Sequence, residues 1–151
     1  MRRWVTVALA ILLMLAVALP AAAEVPPALA YLGVWKSIDG DADGDGAIGP
    51  GERGDASVQM MTVMLGLRGR YTVAYTDFGA SVCGRDDQGK ALYAASVLAT
   101  GSIVDSRLDA NGPLWCMAPK PFKWGNIGMS LVYDAEHDTI WDGGTTWHRA
   151  R

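Results

Sequence analysis

The sequence predicts an antiparallel all-β fold, an up-and-down barrel or a sandwich of about seven to eight short strands, preceded by an N-terminal signal helix. Three observations carry this prediction. Short runs alternate with a period of two: in Arg70–Thr76, Tyr71, Val73 and Tyr75 share one face while Thr72, Ala74 and Thr76 share the other. Clusters of glycine, aspartate and asparagine split these runs at about the interval found in sandwiches and barrels. Once its first 23 residues are set aside, the 151-residue chain is the size of one domain with one core.

The elements follow in chain order. Met1, Arg2 and Arg3 precede an apolar run from Trp4 to Leu19, then Pro20 and Ala21, Ala22 and Ala23. This is the pattern of a secretory signal peptide cut after Ala23. The run is shorter than the roughly 20 residues a spanning helix needs, and a retained anchor is the alternative. No cysteine follows it, which argues against a lipoprotein. Residues 24–151 then form a single domain, secreted or periplasmic, that does not engage the membrane once the signal is removed. With Arg2 and Arg3 gone, eleven basic residues face sixteen acidic ones, a charge of -5 against -3 for the whole chain. That balance offers no basic patch and excludes nucleic acid as the expected partner. A monomer is expected.

Residues 26–38 read as a short helix after Pro27 running into a strand near Val34. An acidic, glycine-rich loop spans 39–56. Residues 57–67 fit a strand, with Met61, Val63, Leu65 and Leu67 on one side, or a helix; Thr62, Val63 and the following Arg68–Arg70 turn favour the strand. Further strands are expected at 70–76, 91–101, 128–134, 138–141 and 145–149, with turns at Asp86–Lys90, Asp109–Pro113, Asp134–Asp138 and Asp142–Gly144. The two cysteines, Cys83 and Cys116, are expected to pair in an oxidising compartment. Loop entropy puts that bond at about 4 kcal/mol. Two buried thiols too far apart to bond are the alternative.

The acidic loop carries the clearest motif. Counted from Asp41, carboxylates fall at positions one, three, five and twelve (Asp41, Asp43, Asp45 and Glu52), glycine at six (Gly46) and isoleucine at eight (Ile48). This resembles the calcium loop of the EF-hand family across all twelve positions. The resemblance implies a calcium ion held by Asp41, Asp43 and Asp45, the backbone carbonyl of Ala47, a water before Gly49 and both oxygens of Glu52. Gly46 would supply the positive-φ turn around the ion, Pro50 would suit the first turn of an exiting helix, and Ile48 would point into the core. Flanking helices are poorly supported by the sequence, so a lone structural site of extracellular affinity, about 10⁻⁴ to 10⁻³ M, is expected instead of half of a sensor. The alternative is a solvated Asp/Gly loop that binds nothing. Arg53-Gly54-Asp55 spells an adhesion tripeptide too short to carry a claim.

Gly33-Val34-Trp35 near the first strand and Arg149 after Trp147-His148 near the last are similar to the lipocalin and calycin barrels. There the tryptophan closes one end and the arginine packs across it, a contact of roughly 0.5 to 2 kcal/mol. The same stretches resemble small secreted bacterial proteins. Ordinary core packing of Trp35 is the alternative. Trp35, Trp115, Trp141 and Trp147 are candidates to line a pocket for a small hydrophobic ligand or a sugar, or to fill a core. Neither His137 nor His148 comes with a catalytic motif, and no enzyme activity is assigned.

Overall fold

The computed structural model describes residues 27–151, so the signal-peptide reading of residues 1–23 lies outside the described residues. A short helix, α1 (Pro27–Ala30), leads into eight strands: β1 (Gly33–Ile38), β2 (Val58–Leu65), β3 (Tyr71–Asp77), β4 (Ala95–Val104), β5 (Arg107–Cys116), β6 (Phe122–Asp134), β7 (Thr139–Trp141) and β8 (Thr146–Arg149). Each strand pairs antiparallel with the next, and β8 returns to β1, closing an up-and-down barrel. Closure removes every sheet edge.

Alternation explains why these segments are strands. Met61 and Val63 of β2, Tyr71 and Val73 of β3, Val97 and Ala99 of β4, and Leu131 of β6 all point inward and are buried in one core with Trp35 and Trp147. Of residues 57–67, Val58–Leu65 resolve as strand; Leu65 is exposed at its end, and exposed Leu67 opens a 3₁₀ turn. The closing β1–β8 ladder is short, registering Trp35 with Arg149 and Lys36 with His148. It is extended by Ala150 N–H donating to the Val34 carbonyl (2.8 Å) and by the Ser37 hydroxyl donating to the Thr146 carbonyl (2.6 Å).

One turn expectation is overturned. Asp109–Pro113 lies inside β5, and the β4–β5 hairpin turns earlier, at Asp105–Ser106, where both residues hold positive φ (48° and 66°). Two successive positive-φ residues make the tight turn whose twist suits a hairpin. Gly112 instead serves the packing. A Cβ there would sit 2.4 Å from the Leu98 carbonyl oxygen and 2.6 Å from the Ala99 Cα, so only glycine lets β4 and β5 approach. Strand β6 likewise begins at Phe122, before the expected 128, and β4 begins at Ala95, after the expected 91.

The two barrel ends differ. At one end α1, the β4–β5 hairpin and the chain terminus meet over Trp35, which is fully buried. The Arg149 guanidinium lies 4.1 Å from the Trp35 ring centroid, donates to the carbonyls of Leu32 (2.6 Å) and Ala30 (3.0 Å), and forks onto the Asp138 carboxylate. Asp138 is held below the usual carboxylate range by those bonds from Arg149. Gly33 is required beside this group: its φ is +131°, and a Cβ would lie 2.8 Å from the guanidinium. Trp35 donates to the Tyr31 carbonyl, and the Tyr31 hydroxyl donates to the carbonyls of Ser106 and Leu131. The other end carries the acidic loop, the β3–β4 connection and the Cys83–Cys116 disulfide, which clips that connection to the end of β5. Both cysteines are buried, and both are paired as expected.

Candidate metal centre

The acidic loop joins β1 to β2, and its neck is built by backbone fit. Asp39 N–H donates to the Ser57 carbonyl (2.8 Å), continuing the ladder one step beyond the strands. Gly40 and Gly54 then pass each other without room for side chains: a Cβ on Gly54 would stand 2.2 Å from the Asp39 carbonyl oxygen, and one on Gly40 2.5 Å from that of Arg53. Asp55 N–H donates to Asp39 Oδ2 (2.7 Å), and Gln59 Nε2 to Asp39 Oδ1 (3.0 Å). Burial nonetheless raises the Asp39 pKa above its ordinary value, with Asp77 and Asp55 adding repulsion.

Beyond the neck the chain wraps around Asp41, which is only 2% exposed. Its Oδ1 accepts from Gly44 N–H (2.7 Å) and its Oδ2 from Gly46 N–H (2.8 Å). Gly44 and Gly46 hold φ of +79° and +90°, the conformation the sequence pattern required of Gly46. Two exposed turns follow the same logic: Asp43 Oδ1 accepts from Asp45 N–H and Asp45 Oδ1 from Ala47 N–H. The result is convergent. One carboxylate oxygen from each of Asp41, Asp43 and Asp45 lies within 4.8 Å of the others, close enough to share one cation. These three are the metal-competent cluster among the described residues.

Glu52 is not part of that cluster. Its Oε1 accepts from Ala42 N–H (2.7 Å) and Asp43 N–H (3.2 Å), and its Oε2 from Gly49 N–H (2.6 Å). Those bonds, that from Gly49 first, hold its carboxyl below the ordinary value. In this geometry Glu52 is the tie that draws the far side of the loop onto the near side. Ala47 contributes a backbone donor to Asp45. Where the EF-hand pattern has an exiting helix, the chain makes a turn in which Glu52 N–H reaches the Gly49 carbonyl (3.3 Å), with Pro50 and positive-φ Gly51 between them. Proline followed by such a glycine suits that turn as well as proline suits a helix start. Ile48 is half-buried and stands outside the core.

Strand β8 anchors the loop from below. Thr146 N–H donates to the Asp41 carbonyl (2.8 Å), the Thr146 hydroxyl to the Ala42 carbonyl, and His148 Nε2 meets the Gly44 carbonyl at 3.0 Å. A carbonyl only accepts, so that histidine nitrogen carries a proton. Asp55 of the adhesion-like tripeptide is engaged within the fold, accepting from Ser81 N–H and Arg85.

The tryptophan candidates separate. Trp35 and Trp147 are buried at 0% and 2% exposure, Trp35 under Arg149 and Trp147 against the Tyr75 ring. Trp115 and Trp141 point outward, at 43% and 49% exposure, and do not line the barrel interior. Their alternation phase places them on the solvent face, opposite to buried Leu114 and Ile140.

Polar residues that composition and spacing did not single out gather at the loop end of the barrel: Asp39, Gln59, Asp77 and Asp142. Alternation could have flagged two of them. Gln59 is in phase with inward Met61 and Val63, and Asp77 with inward Tyr71 and Val73, and the two residues are register partners.

The class this defines is a small closed β-barrel with one disulfide and an aspartate triad able to hold a metal ion. No protein-family model, curated protein or solved structure matches the chain.

Proposed function

We propose that this is an exported binding module whose 41–52 loop takes one structural calcium ion. The convergence of Asp41, Asp43 and Asp45 oxygens within 4.8 Å carries the reading. Hard oxygen donors in a loop already shaped by its own backbone suit a hard divalent cation. The ion would neutralise three like charges that repel in its absence, and would tie the β1–β2 connection to β8 through Asp41. Export is supported by the disulfide, which belongs to an oxidising compartment, and by the signal-like first residues. Among the described residues no helix is long and apolar enough to cross a membrane.

Calcium titration followed by unfolding tests this. With a dissociation constant of about 10⁻⁴ to 10⁻³ M, 2 mM calcium stabilises by about 0.6 to 1.8 kcal/mol. Asp43→Asn combined with Asp45→Asn should abolish the gain while leaving the calcium-free stability near that of the parent, because both side chains are exposed. No gain in the parent protein refutes the site.

A further inference from the structure

The barrel end that carries the acidic loop opens into a cavity of about 380 Å³, within the size range of small-ligand sites. Its floor is apolar, formed by Met61, Leu114 and Leu131 with the Trp147 ring. Its rim carries three carboxylates, Asp39, Asp77 and Asp142. None of the three is ion-paired: the four ion pairs among the described residues use Asp55, Asp109, Asp134 and Asp138. Arg53 also lines the cavity, beyond ion-pair distance of all three.

Two of these polar groups are more than nine-tenths buried as residues; among the described residues no wholly buried side-chain polar atom lacks a hydrogen-bond partner, so the capacity they have left faces the cavity. Asp77, 7% exposed, receives Ser57 Oγ (2.6 Å) and Gly79 N–H (2.9 Å) on Oδ1, but Oδ2 has only the Tyr75 hydroxyl at 3.4 Å. Gln59, 4% exposed, donates its amide nitrogen to Asp39, while its amide oxygen accepts from no described residue. A buried carboxylate without a counter-charge is costly unless something supplies one. The local field is correspondingly negative: burial pushes the Tyr75 hydroxyl far above its ordinary value, and Asp77, Asp39 and Asp142 each add to that shift.

We infer that this cavity binds a small organic cation, an ammonium group on an apolar tail, with the head at the carboxylate rim and the tail on the Met61–Leu114–Leu131 floor. A bare metal ion would leave the apolar floor unused. A neutral hydrophobe or a fatty anion would leave buried Asp77 and its half-buried neighbours Asp39 and Asp142 without a counter-charge or repelled. The inference requires no calcium at the 41–52 loop, although Asp39 and Arg53 belong to that loop's neck, and is tested in EDTA so that the two can fail separately.

The experiment is calorimetric titration of the disulfide-bonded protein with octylamine, octanol and octanoate, three tails of one length with different heads, each below its aggregation threshold. Octylamine should bind at least about tenfold tighter than octanol, and octanoate should not bind measurably. Asp77→Asn and Asp142→Asn should each weaken octylamine several-fold and leave octanol unchanged, with circular dichroism verifying the fold. Equal binding of all three ligands, binding of none, or preference for octanoate overturns the inference on the parent protein alone, whether or not the variants fold. Retention of the full amine preference by both folded variants overturns it equally.

Discussion

Replacing Arg149 with alanine removes three kinds of contact at the closed end of the barrel, and their sizes can be worked separately. The guanidinium over Trp35, at 4.1 Å and against a fully buried ring, falls in the range of about 0.5 to 2 kcal/mol. Its bonds to the Ala30 and Leu32 carbonyls are charge-assisted, each worth about 1.5 kcal/mol or more. The Asp138 fork is half-exposed, at 31% and 48% for the two side chains, and adds at most about 1 kcal/mol. Contacts made by one side chain are not additive, so Arg149→Ala should cost about 3 kcal/mol. Arg149→Lys keeps a cation near the indole but cannot reach both carbonyls and Asp138, and should cost about 2 kcal/mol. Asp138→Asn should cost less than about 1 kcal/mol. Urea unfolding followed by tryptophan fluorescence gives all three values, provided the slope with denaturant is unchanged. If Arg149→Ala lies within 0.5 kcal/mol of the parent, or Asp138→Asn costs as much as Arg149→Ala (a cutoff of about 0.5 kcal/mol being the usual size of a neutral surface change), the tryptophan–arginine closure is not what seals this end.

Gly33→Ala should destabilise by about 1 to 3 kcal/mol in the same assay, since it combines a φ of +131° with a clash against Arg149; a neutral result would show that the guanidinium can shift freely. Gly112→Ala should cost at least about 2 kcal/mol, because the added methyl meets backbone of β4 instead of a movable side chain. Substituting both cysteines with alanine should cost about 2 to 4 kcal/mol by thermal unfolding, in line with a closure separating residues 33 apart, and the buried bond should resist reductant until the protein unfolds. Stability should fall on acidification. The carboxyls of Glu52, Asp55, Asp134 and Asp138 titrate below their ordinary values in the folded state, so their contribution is present above the unfolded carboxylate pKa and is lost as pH drops through the depressed ones. Asp39 acts in the opposite sense: its raised pKa contributes stability that is present below its unfolded value and is lost as pH rises through the folded one. Asp39→Asn should therefore steepen the acid-side loss measured by urea unfolding between pH 5 and pH 2 (a window set by the carboxylate range), and an unchanged or shallower slope would contradict the burial of that carboxyl.

The sequence by itself determined the all-β class and most of the strands, because a two-residue period is a local property that survives without knowledge of partners: Tyr71, Val73 and Tyr75 point together whatever they pack against. It also determined the turns in the first half of the acidic loop, since Asp41, Asp43 and Asp45 accept from backbone N–H groups two to five residues on. Elements whose meaning depends on distant chain were decided only by the tertiary structure. Asn111-Gly112 carries a turn signal locally, yet Gly112 is a strand residue because Leu98 and Ala99 of β4 leave it no room for a side chain. Spacing puts Glu52 at the ligand position of the loop pattern, while its bonds across the loop to the N–H groups of Ala42, Asp43 and Gly49 are visible only in the structure. Trp115 and Trp147 are alike in sequence, and only strand phase relative to the closed barrel put one outside and the other in the core. The cavity carboxylates are the furthest case. Asp39, Asp77 and Asp142 are scattered over more than a hundred positions, and barrel closure alone brings them to one rim, because the ends of β1, β3 and β7 meet there.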